Sequence, residues 1–224
     1  MFFPVLVMLL AGGRVFLVFC SISWGCQMAL IAVTGGIGAG KSTVLARFRE
    51  LGGETLDADE AVHSLYQRDS VLCKAMQKRW GDDILTQDGL PERKKIAGVV
   101  FQSQAELDWL NSLVHPLVKE IIQWRVARCS GALYCAIPLF FECGWTQEAV
   151  FSIGLWCDPL TQHTRLLQRG WTDSQIKARI TQQLSMDEKL FRSDFGIISN
   201  CSWKNLHRQC DVIFQSIERH LSHL

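Results

Sequence analysis

The sequence predicts an α/β fold in which helices cover both faces of a parallel central sheet. Short apolar segments typical of buried strands, at residues 29–35, 132–138 and 150–157, alternate with longer segments whose apolar residues recur at helical spacing. This alternation of strands and helices favours a three-layer arrangement with a parallel sheet. The first segment, "ALIAVTG", ends in glycine and has the pattern of a strand that is buried on both faces.

The other elements are expected from the same patterns. Further strands are expected within residues 52–59 and 195–199, and helices at 41–51, 60–80, 93–101, 104–128, 160–192 and 203–222. His115-Pro116 is an expected break or new start within 104–128, because proline lacks the amide that a helix interior needs. Since the helical stretch 60–128 is too long for an ordinary connection between strands, we expect it to form a second layer over the site.

Composition limits the classes of function. The 224 residues include 23 Lys and Arg and 22 Asp and Glu, a net charge of +1 that argues against a broad nucleic-acid-binding face. The hydrophobic fraction of 48% supports a packed core. The nine cysteines form no C-x-x-C pair and favour free, mostly buried thiols in a reducing compartment. We therefore expect a cytoplasmic protein that binds no nucleic acid.

Residues 1–27 form an apolar leader in which Arg14 is the only charged residue. Three interpretations remain open, namely a membrane anchor, a signal peptide, and a start codon assigned too early with Met28 as the first working residue. We favour the third, because a strand at the centre of the sheet needs little chain before Ala29. Membrane contact is then expected only if the leader is retained.

A phosphate-binding motif lies directly after the first predicted strand. Residues 35–42 (GGIGAGKS) match the spacing G-x-x-x-x-G-K-S of the phosphate-binding loop, or P-loop, and they open a helix as that loop requires. Backbone amides would bind phosphate, Lys41 would reach the β- and γ-phosphates, and Ser42 would hold Mg²⁺. The motif predicts a P-loop NTPase fold, and a chance glycine-rich turn before a helix is the alternative.

Two aspartates follow the second predicted strand, at the edge where parallel sheets bind ligands. A carboxylate at this edge could accept the proton of an attacking hydroxyl group, and Asp59 is the candidate base. Asp57 and Glu60 have the spacing of a capping box, so we expect Asp57 to cap the next helix.

Three arginines could contact phosphate from the helical segment 160–192. Arg165 and Arg169 lie one helical turn apart, and Arg179 follows on the same segment. Guanidinium groups bind pairs of phosphate oxygens well, so these residues could hold the phosphoryl group during transfer. The alternative is an ordinary solvated helix face.

Several segments, taken in order, resemble the dephospho-CoA kinase family. They are "IAVTGGIGAGKSTV", "LDAD", "GDDIL", Arg93, "HPLV", "IPLFFE", "QRG", "ARITQQ" and the "SN" at 199–200. The P-loop alone is shared by many proteins, whereas the Asp-Ala-Asp, His-Pro and Pro-Leu-x-x-Glu segments are far more specific. The resemblance extends from about residue 28 to the C-terminus.

This resemblance implies the last step of coenzyme A synthesis, in which ATP phosphorylates the ribose 3′-hydroxyl group of dephospho-CoA with Mg²⁺ as cofactor. It also implies a P-loop kinase unit at 28–224 with three parts. The parts are a core at 28–60, 130–160 and 194–224, a helical substrate-binding insertion at 61–129, and a lid at 161–193. The expected partners are ATP and dephospho-CoA, and the expected state is a monomer or small homo-oligomer.

By position, the resemblance also implies site residues. The expected catalytic residues are Asp59, Lys41 and Arg169, the last contacting phosphate from the lid. The expected ATP-binding residues are Gly36, Gly38, Ala39, Gly40, Lys41, Ser42, Thr43 and Asn200. The expected residues on the dephospho-CoA side are Arg93, His115, Pro138, Leu139 and Glu142. For several of this last group the alternative is a local role, such as starting a helix, ending a strand or favouring a helix dipole.

Three positions differ from the family pattern. Gly170 stands where many relatives have an acidic residue, and Ala136 and Ser199 stand where aspartate is common. These differences concern the geometry of the lid and the turnover rate more than the type of reaction.

Two other functions stay open. A nucleotide or nucleoside kinase of the same fold would phosphorylate AMP, CMP or a deoxynucleoside. A non-catalytic ATP-binding regulator would bind nucleotide without producing ADP, although the intact Lys41, Ser42 and Asp59 argue against it.

Overall fold

The structure, a computed structural model, describes residues 5–11, 14–20, 28–100 and 102–223. Before Met28, the backbone forms two antiparallel strands, β1 (Val5–Ala11) and β2 (Arg14–Cys20). The predictions about the leader depend also on residues 1–4, 12, 13 and 21–27, which lie outside the described residues. In the described ranges, no helix is both long enough and apolar enough to cross a membrane.

The central sheet contains five parallel strands in the order β4-β5-β3-β6-β7. Its strands are β3 (Ala29–Gly35), β4 (Glu54–Asp57), β5 (Ala132–Ala136), β6 (Phe151–Trp156) and β7 (Phe195–Ile198). Each of them lies within a segment that the sequence predicts as a strand. The parallel pairing confirms the expected fold class.

Nine helices are seen in the described part of the chain, together with short 3₁₀ helices at Asp82–Ile84 and Trp145–Gln147. They are α1 (Lys41–Glu50), α2 (Ala58–Arg68), α3 (Ser70–Trp80), α4 (Arg93–Val100), α5 (Gln104–Val126), α6 (Pro159–Gln168), α7 (Asp173–Ile180), α8 (Met186–Arg192) and α9 (Trp203–Leu221). Successive side chains of β3 point to opposite faces of the sheet, so they pack against different outer layers. Leu30 and Ala32 pack with helices α2–α5, whereas Ile31 and Val33 pack with α1 and α9.

The helical pattern expected at 60–80 is wrong only at Asp69, which divides the segment into two helices. Asp69 lies between α2 and α3 in an extended conformation, and its carboxylate accepts hydrogen bonds from the amides of Val71 and Leu72, both at 2.9 Å. An aspartate that caps a new helix in this way competes with continuation of the preceding one. The sequence pattern of apolar residues continues across the break, which is why periodicity alone missed it.

The break expected at His115-Pro116 is also wrong, because α5 runs through Pro116. The proline is exposed, while Val114, Val118 and Ile122 on the buried face pack in the same apolar cluster. Proline in a helix interior removes one backbone hydrogen bond. Burial of the apolar face on both sides of the proline offsets that loss and keeps the helix continuous.

The register of the sheet determines where a ligand can bind. Asp57 at the end of β4 pairs with Ala136 at the end of β5, and Ala136 in turn pairs with Val33 near the end of β3. The carboxyl ends of these strands therefore lie side by side at one edge. The P-loop leaves β3 at the same edge, directly after Gly35.

Candidate active site

The P-loop has the backbone geometry that its sequence predicts. Gly35 adopts φ 147°, and a Cβ atom at this position would lie 2.9 Å from the carbonyl oxygen of Leu155. Only glycine fits there without a shift of the neighbouring strand. The turn itself is closed by a hydrogen bond of 3.2 Å from the amide of Ala39 to the carbonyl oxygen of Gly36.

Lys41 lies at the first position of α1 and folds back over the loop. Its Nζ atom donates hydrogen bonds to the carbonyl oxygens of Gly35, at 2.8 Å, and Gly36, at 3.0 Å. Burial lowers the pKa of Lys41 to about 8, although the carboxylate of Asp59 acts in the opposite direction. This side chain is therefore a partly buried cation held at the loop, next to the carboxyl edge of the sheet. Ser42 follows it in the first turn of α1 and is exposed.

Helix α6 supports the P-loop from the side. The Nε2 atom of the buried Gln162 donates to the carbonyl oxygen of Ile37 at 2.7 Å. Arg165 donates to the carbonyl oxygen of Gly38 at 3.2 Å, and to the Oγ and carbonyl oxygens of Ser199 at 2.9 and 2.7 Å. The guanidinium group of Arg165 is therefore bound by protein oxygens, unlike the phosphate contact considered from the sequence. Gln162 was not singled out, although its spacing of three residues from Arg165 places both on one helix face.

A cavity of about 300 Å³ lies against the P-loop, between α6 and the start of α9. Gly40, Thr43, Arg169 and Trp203 are among the residues that line it. Gly38 also lines this cavity, whereas Asn200 is exposed beside it and donates from Nδ2 to Asp158 at 2.9 Å. Three of the eight residues that were expected to bind ATP, namely Gly38, Gly40 and Thr43, therefore line this cavity.

The two aspartates after β4 have different environments. Asp57 is the N-cap of α2, as expected, and its carboxylate accepts a hydrogen bond of 2.9 Å from the amide of Asp59. The Asp59 side chain is open to solvent at the rim of the site. The surrounding protein shields Asp59 from part of the bulk water, and this desolvation raises its pKa. The negative charge of the Asp57 carboxylate adds to the shift. Lys41, followed by other nearby cations, favours the ionised form.

A larger cleft of about 760 Å³ lies between α4 and the segment that contains α7. Arg93, Arg169, Trp171 and Arg179 are among its lining residues. The positive charges of Arg93 and Arg179 both act on the carboxylate of Asp59. Arg169 lines this cleft as well as the cavity at the P-loop, so it lies where the two meet.

Glu142, expected on the substrate side, forms an ion pair with the buried Lys189. Its Oε1 atom lies 2.7 Å from Nζ of Lys189, and the two side chains are 19% and 0% exposed. The same oxygen accepts a hydrogen bond of 2.9 Å from the amide of Leu184. Lys189 also donates to the carbonyl oxygen of Pro138, which accepts a further bond of 3.3 Å from Thr34. These contacts join α8 to the loop that follows β5.

Replacing Glu142 with alanine is expected to lower the free energy of unfolding by about 3 kcal/mol, because the buried Lys189 ammonium loses its counter-charge. Urea denaturation of the two proteins measures this change. A double variant, Glu142→Ala with Lys189→Met, should recover much of the stability, since it leaves no unpaired buried charge. A single variant as stable as the wild type would show that the pair does not hold α8 in place.

The remaining two residues expected on the substrate side are His115, in the middle of α5, and Leu139, in the loop after β5; both contact Cys143. The imidazole of His115 is half-buried, with its Nε2 atom 3.7 Å from Sγ of Cys143 and its ring packed edge-on to Trp145. Burial lowers the pKa of His115. The carbonyl oxygen of Leu139 accepts a hydrogen bond of 2.9 Å from the amide of Cys143. In the structure these groups make packing and backbone contacts.

Comparison with known proteins gives a consistent result. A sequence profile of the dephospho-CoA kinase family matches residues 29–205. A Helicobacter pylori dephospho-CoA kinase is 34% identical over 193 residues, which cover 84% of this chain and 96% of that protein. The solved dephospho-CoA kinase from Campylobacter jejuni aligns with a TM-score of 0.63 and 26% identity, covering 85% of this chain and 98% of that one. Shikimate kinase from Acinetobacter baumannii, at 15% identity and a TM-score of 0.52 over 86% of this chain and 94% of its own, shares the fold.

A parallel sheet with a P-loop after its central strand, and an acidic residue after another strand end at the same edge, defines a P-loop kinase. Within this class, the profile match and the relatives that align over nearly their whole length identify the family. The chain belongs to the dephospho-CoA kinase family.

Proposed function

We propose that this chain transfers the γ-phosphoryl group of ATP to the ribose 3′-hydroxyl group of dephospho-CoA, which gives coenzyme A and ADP. This is the last step of coenzyme A synthesis. The observation that carries the proposal is the electrostatic environment of Asp59, whose carboxylate is acted on by the P-loop lysine and by Arg93 and Arg179 of the cationic cleft. Family membership supports the choice of acceptor.

On the donor side, the P-loop amides and Lys41 bind the phosphates of ATP. Lys41 turns from the carbonyl oxygens of Gly35 and Gly36 toward the β- and γ-phosphates, whose charge compensates for burial of the ammonium group. Ser42 offers a hydroxyl oxygen in the first turn of α1, a ligand type that suits Mg²⁺, which such sites hold together with substrate phosphates. When bound, Mg²⁺ neutralises negative charge on the phosphates. Arg169, between the two cavities, stabilises the charge of the group in transfer.

On the acceptor side, Asp59 orients the 3′-hydroxyl group and accepts its proton. Arg93 lies in the same cleft and adds positive charge where an anionic substrate enters. Phosphoryl transfer depends mainly on positioning and charge neutralisation, and these residues contribute to both. Water must be kept from the γ-phosphoryl group, and we assign this role to closure of a lid within 161–193.

The proposal also covers the parts of the chain, its cellular location and its partners. We assign the core to 28–60, 130–160 and 194–224 and the substrate-binding region to 61–129. The protein works in the cytoplasm, as a monomer or small homo-oligomer, and its partners are ATP and dephospho-CoA. Asn200 lies close to the base of ATP in this proposal.

The value of kcat/KM for ATP should fall on both sides of an intermediate pH. It falls as the pH rises above about 8, because the pKa of Lys41 in the free enzyme has that value and the neutral amine binds phosphate weakly. It falls in acid because Asp59, with its raised pKa, becomes protonated and can no longer accept a proton. Initial rates from about pH 5 to about pH 10 measure both limbs. In Lys41→Arg the alkaline limb near pH 8 should disappear, and its persistence would assign that limb to another group.

The proposed function is tested by direct measurement of coenzyme A. Purified full-length protein, and protein that begins at Met28, are mixed with ATP, Mg²⁺ and dephospho-CoA. We expect coenzyme A to appear in step with ADP. The same assay with AMP, CMP and deoxynucleosides should release little ADP. Release of ADP with one of these acceptors, and none with dephospho-CoA, would favour a nucleotide or nucleoside kinase.

A further inference from the structure

An aromatic side chain in the cationic cleft has no role in the mechanism above. Trp171 is half-buried and lines the cleft of about 760 Å³ together with Arg93 and Arg179. Aromatic residues that are exposed to a cleft present a flat apolar face to a ligand, and bases of nucleotides stack on such faces. The position of this indole relative to Asp59 therefore bears on how the acceptor is recognised.

The end of α6 fixes the backbone of Trp171. Gly170 adopts φ 80°, a left-handed conformation that ends the helix and that residues with a Cβ atom rarely adopt. The amide of Gly170 donates to the carbonyl oxygen of Leu167 at 2.9 Å, and the amide of Trp171 donates to that of Leu166 at 3.2 Å. The indole is thus carried by a hydrogen-bonded helix end, which gives it a defined place in the cleft.

Arg179 connects the indole to the candidate base. Its guanidinium carbon lies 5.6 Å from the centre of the Trp171 ring. The charge of Arg179 also acts on the carboxylate of Asp59. Arg179 therefore lies close to the indole and also acts electrostatically on the candidate base. In dephospho-CoA, the ribose that carries the 3′-hydroxyl group also carries the adenine base, so a hydroxyl group held at Asp59 brings the base close to it.

We propose that Trp171 binds the adenine base of dephospho-CoA by stacking and thereby helps to select the acceptor. This inference rests on the proposed function. The cations of the cleft suit the diphosphate on one side of the ribose, and the indole suits the base on the other. Trp171 does not touch the reacting atoms, so it acts on acceptor binding and leaves ATP binding unchanged.

Steady-state kinetics of Trp171→Leu and Trp171→Phe test this role. We expect the leucine variant to raise KM for dephospho-CoA about tenfold, with KM for ATP unchanged, because it loses the stacked contact. The phenylalanine variant keeps an aromatic face and should recover most of this loss. An unchanged KM for dephospho-CoA in the leucine variant, or equal effects on both substrates, would overturn the inference.

Tryptophan fluorescence gives a second measurement that a purely structural role would not affect. Trp203, which lines the cavity at the P-loop, offers a matched control in Trp203→Phe. With a non-hydrolysable ATP analogue already bound, dephospho-CoA should quench the emission of the wild type and of Trp203→Phe, but not that of Trp171→Phe. The fragment 4′-phosphopantetheine, which lacks adenine, should cause no quenching at Trp171. Quenching by this fragment would show that the indole contacts the pantetheine arm, and would overturn the assignment to the base.

The two proposals fail in different ways. A wild-type protein that makes no coenzyme A contradicts the proposed function. A wild-type protein that makes coenzyme A, together with a Trp171→Leu variant of normal KM for dephospho-CoA, contradicts only the inference about the indole.

Discussion

Replacing Lys41 with alanine will lower kcat for coenzyme A formation by roughly 10²–10³-fold, the usual cost of removing one charge-stabilising donor from an active site. Lys41 is the cation held at the P-loop, with its Nζ atom 2.8 Å from the carbonyl oxygen of Gly35. In the alanine variant, no ammonium group is present to stabilise the negative charge that develops on ADP during the transfer. Rates of coenzyme A formation at saturating substrates measure the effect.

The thermal stability of the same variant separates a chemical defect from a folding defect. Burial of the Lys41 ammonium group lowers its pKa, so its removal relieves a desolvation cost and should not lower Tm in the absence of nucleotide. ATP should raise Tm of the wild type and raise that of the variant much less, because binding to the native state stabilises it. A variant with normal kcat would remove Lys41 from the catalytic role.

Replacing Asp59 with asparagine will lower kcat by about 10²–10⁴-fold, the range for loss of a general base. The amide keeps the shape and the solvent contact of the side chain but cannot accept the proton of the 3′-hydroxyl group. KM for ATP should stay close to the wild-type value, because the P-loop is unchanged. Initial rates with both substrates varied will separate the two parameters.

Asp57→Asn is the matched control for this experiment. It removes one carboxylate from the same turn, and asparagine can still cap α2 in place of Asp57. Its kcat should stay far above that of Asp59→Asn. Equal losses in the two variants would mean that the net charge of the turn matters and that Asp59 is not the base.

Much of the fold follows from patterns that are local in the sequence. The five strands of the central sheet and the P-loop have short, distinct signals, and the glycine at position 35 is required by contact with the carbonyl oxygen of Leu155. The continuity of α5 through Pro116 could not be predicted in the same way. It depends on burial of Val114 and Val118 against distant helices, which the local pattern around the proline does not report.

In the candidate site, too, some features follow from local sequence patterns and others depend on tertiary contacts. Spacing alone led to Lys41 and Asp59, because both follow strand ends at the ligand-binding edge. Spacing could not distinguish Arg165, which binds the carbonyl oxygens of Gly38 and Ser199, from Arg169, which borders both cavities. Likewise, the pairing of Glu142 with a lysine 47 positions further along the chain depends on tertiary contacts that no short motif encodes.

The contacts of Arg165 have a mechanical consequence. Because Gln162 and Arg165 attach α6 to the P-loop, and Lys189 attaches α8 to the loop after β5, both flanks of the proposed lid are anchored to the core. The pivots of any closing motion then fall between these anchors, after Trp171 and near Leu184. We expect α7 to swing as a short rigid lever that brings Arg179 toward the acceptor, while the nucleotide loop keeps its shape throughout the catalytic cycle.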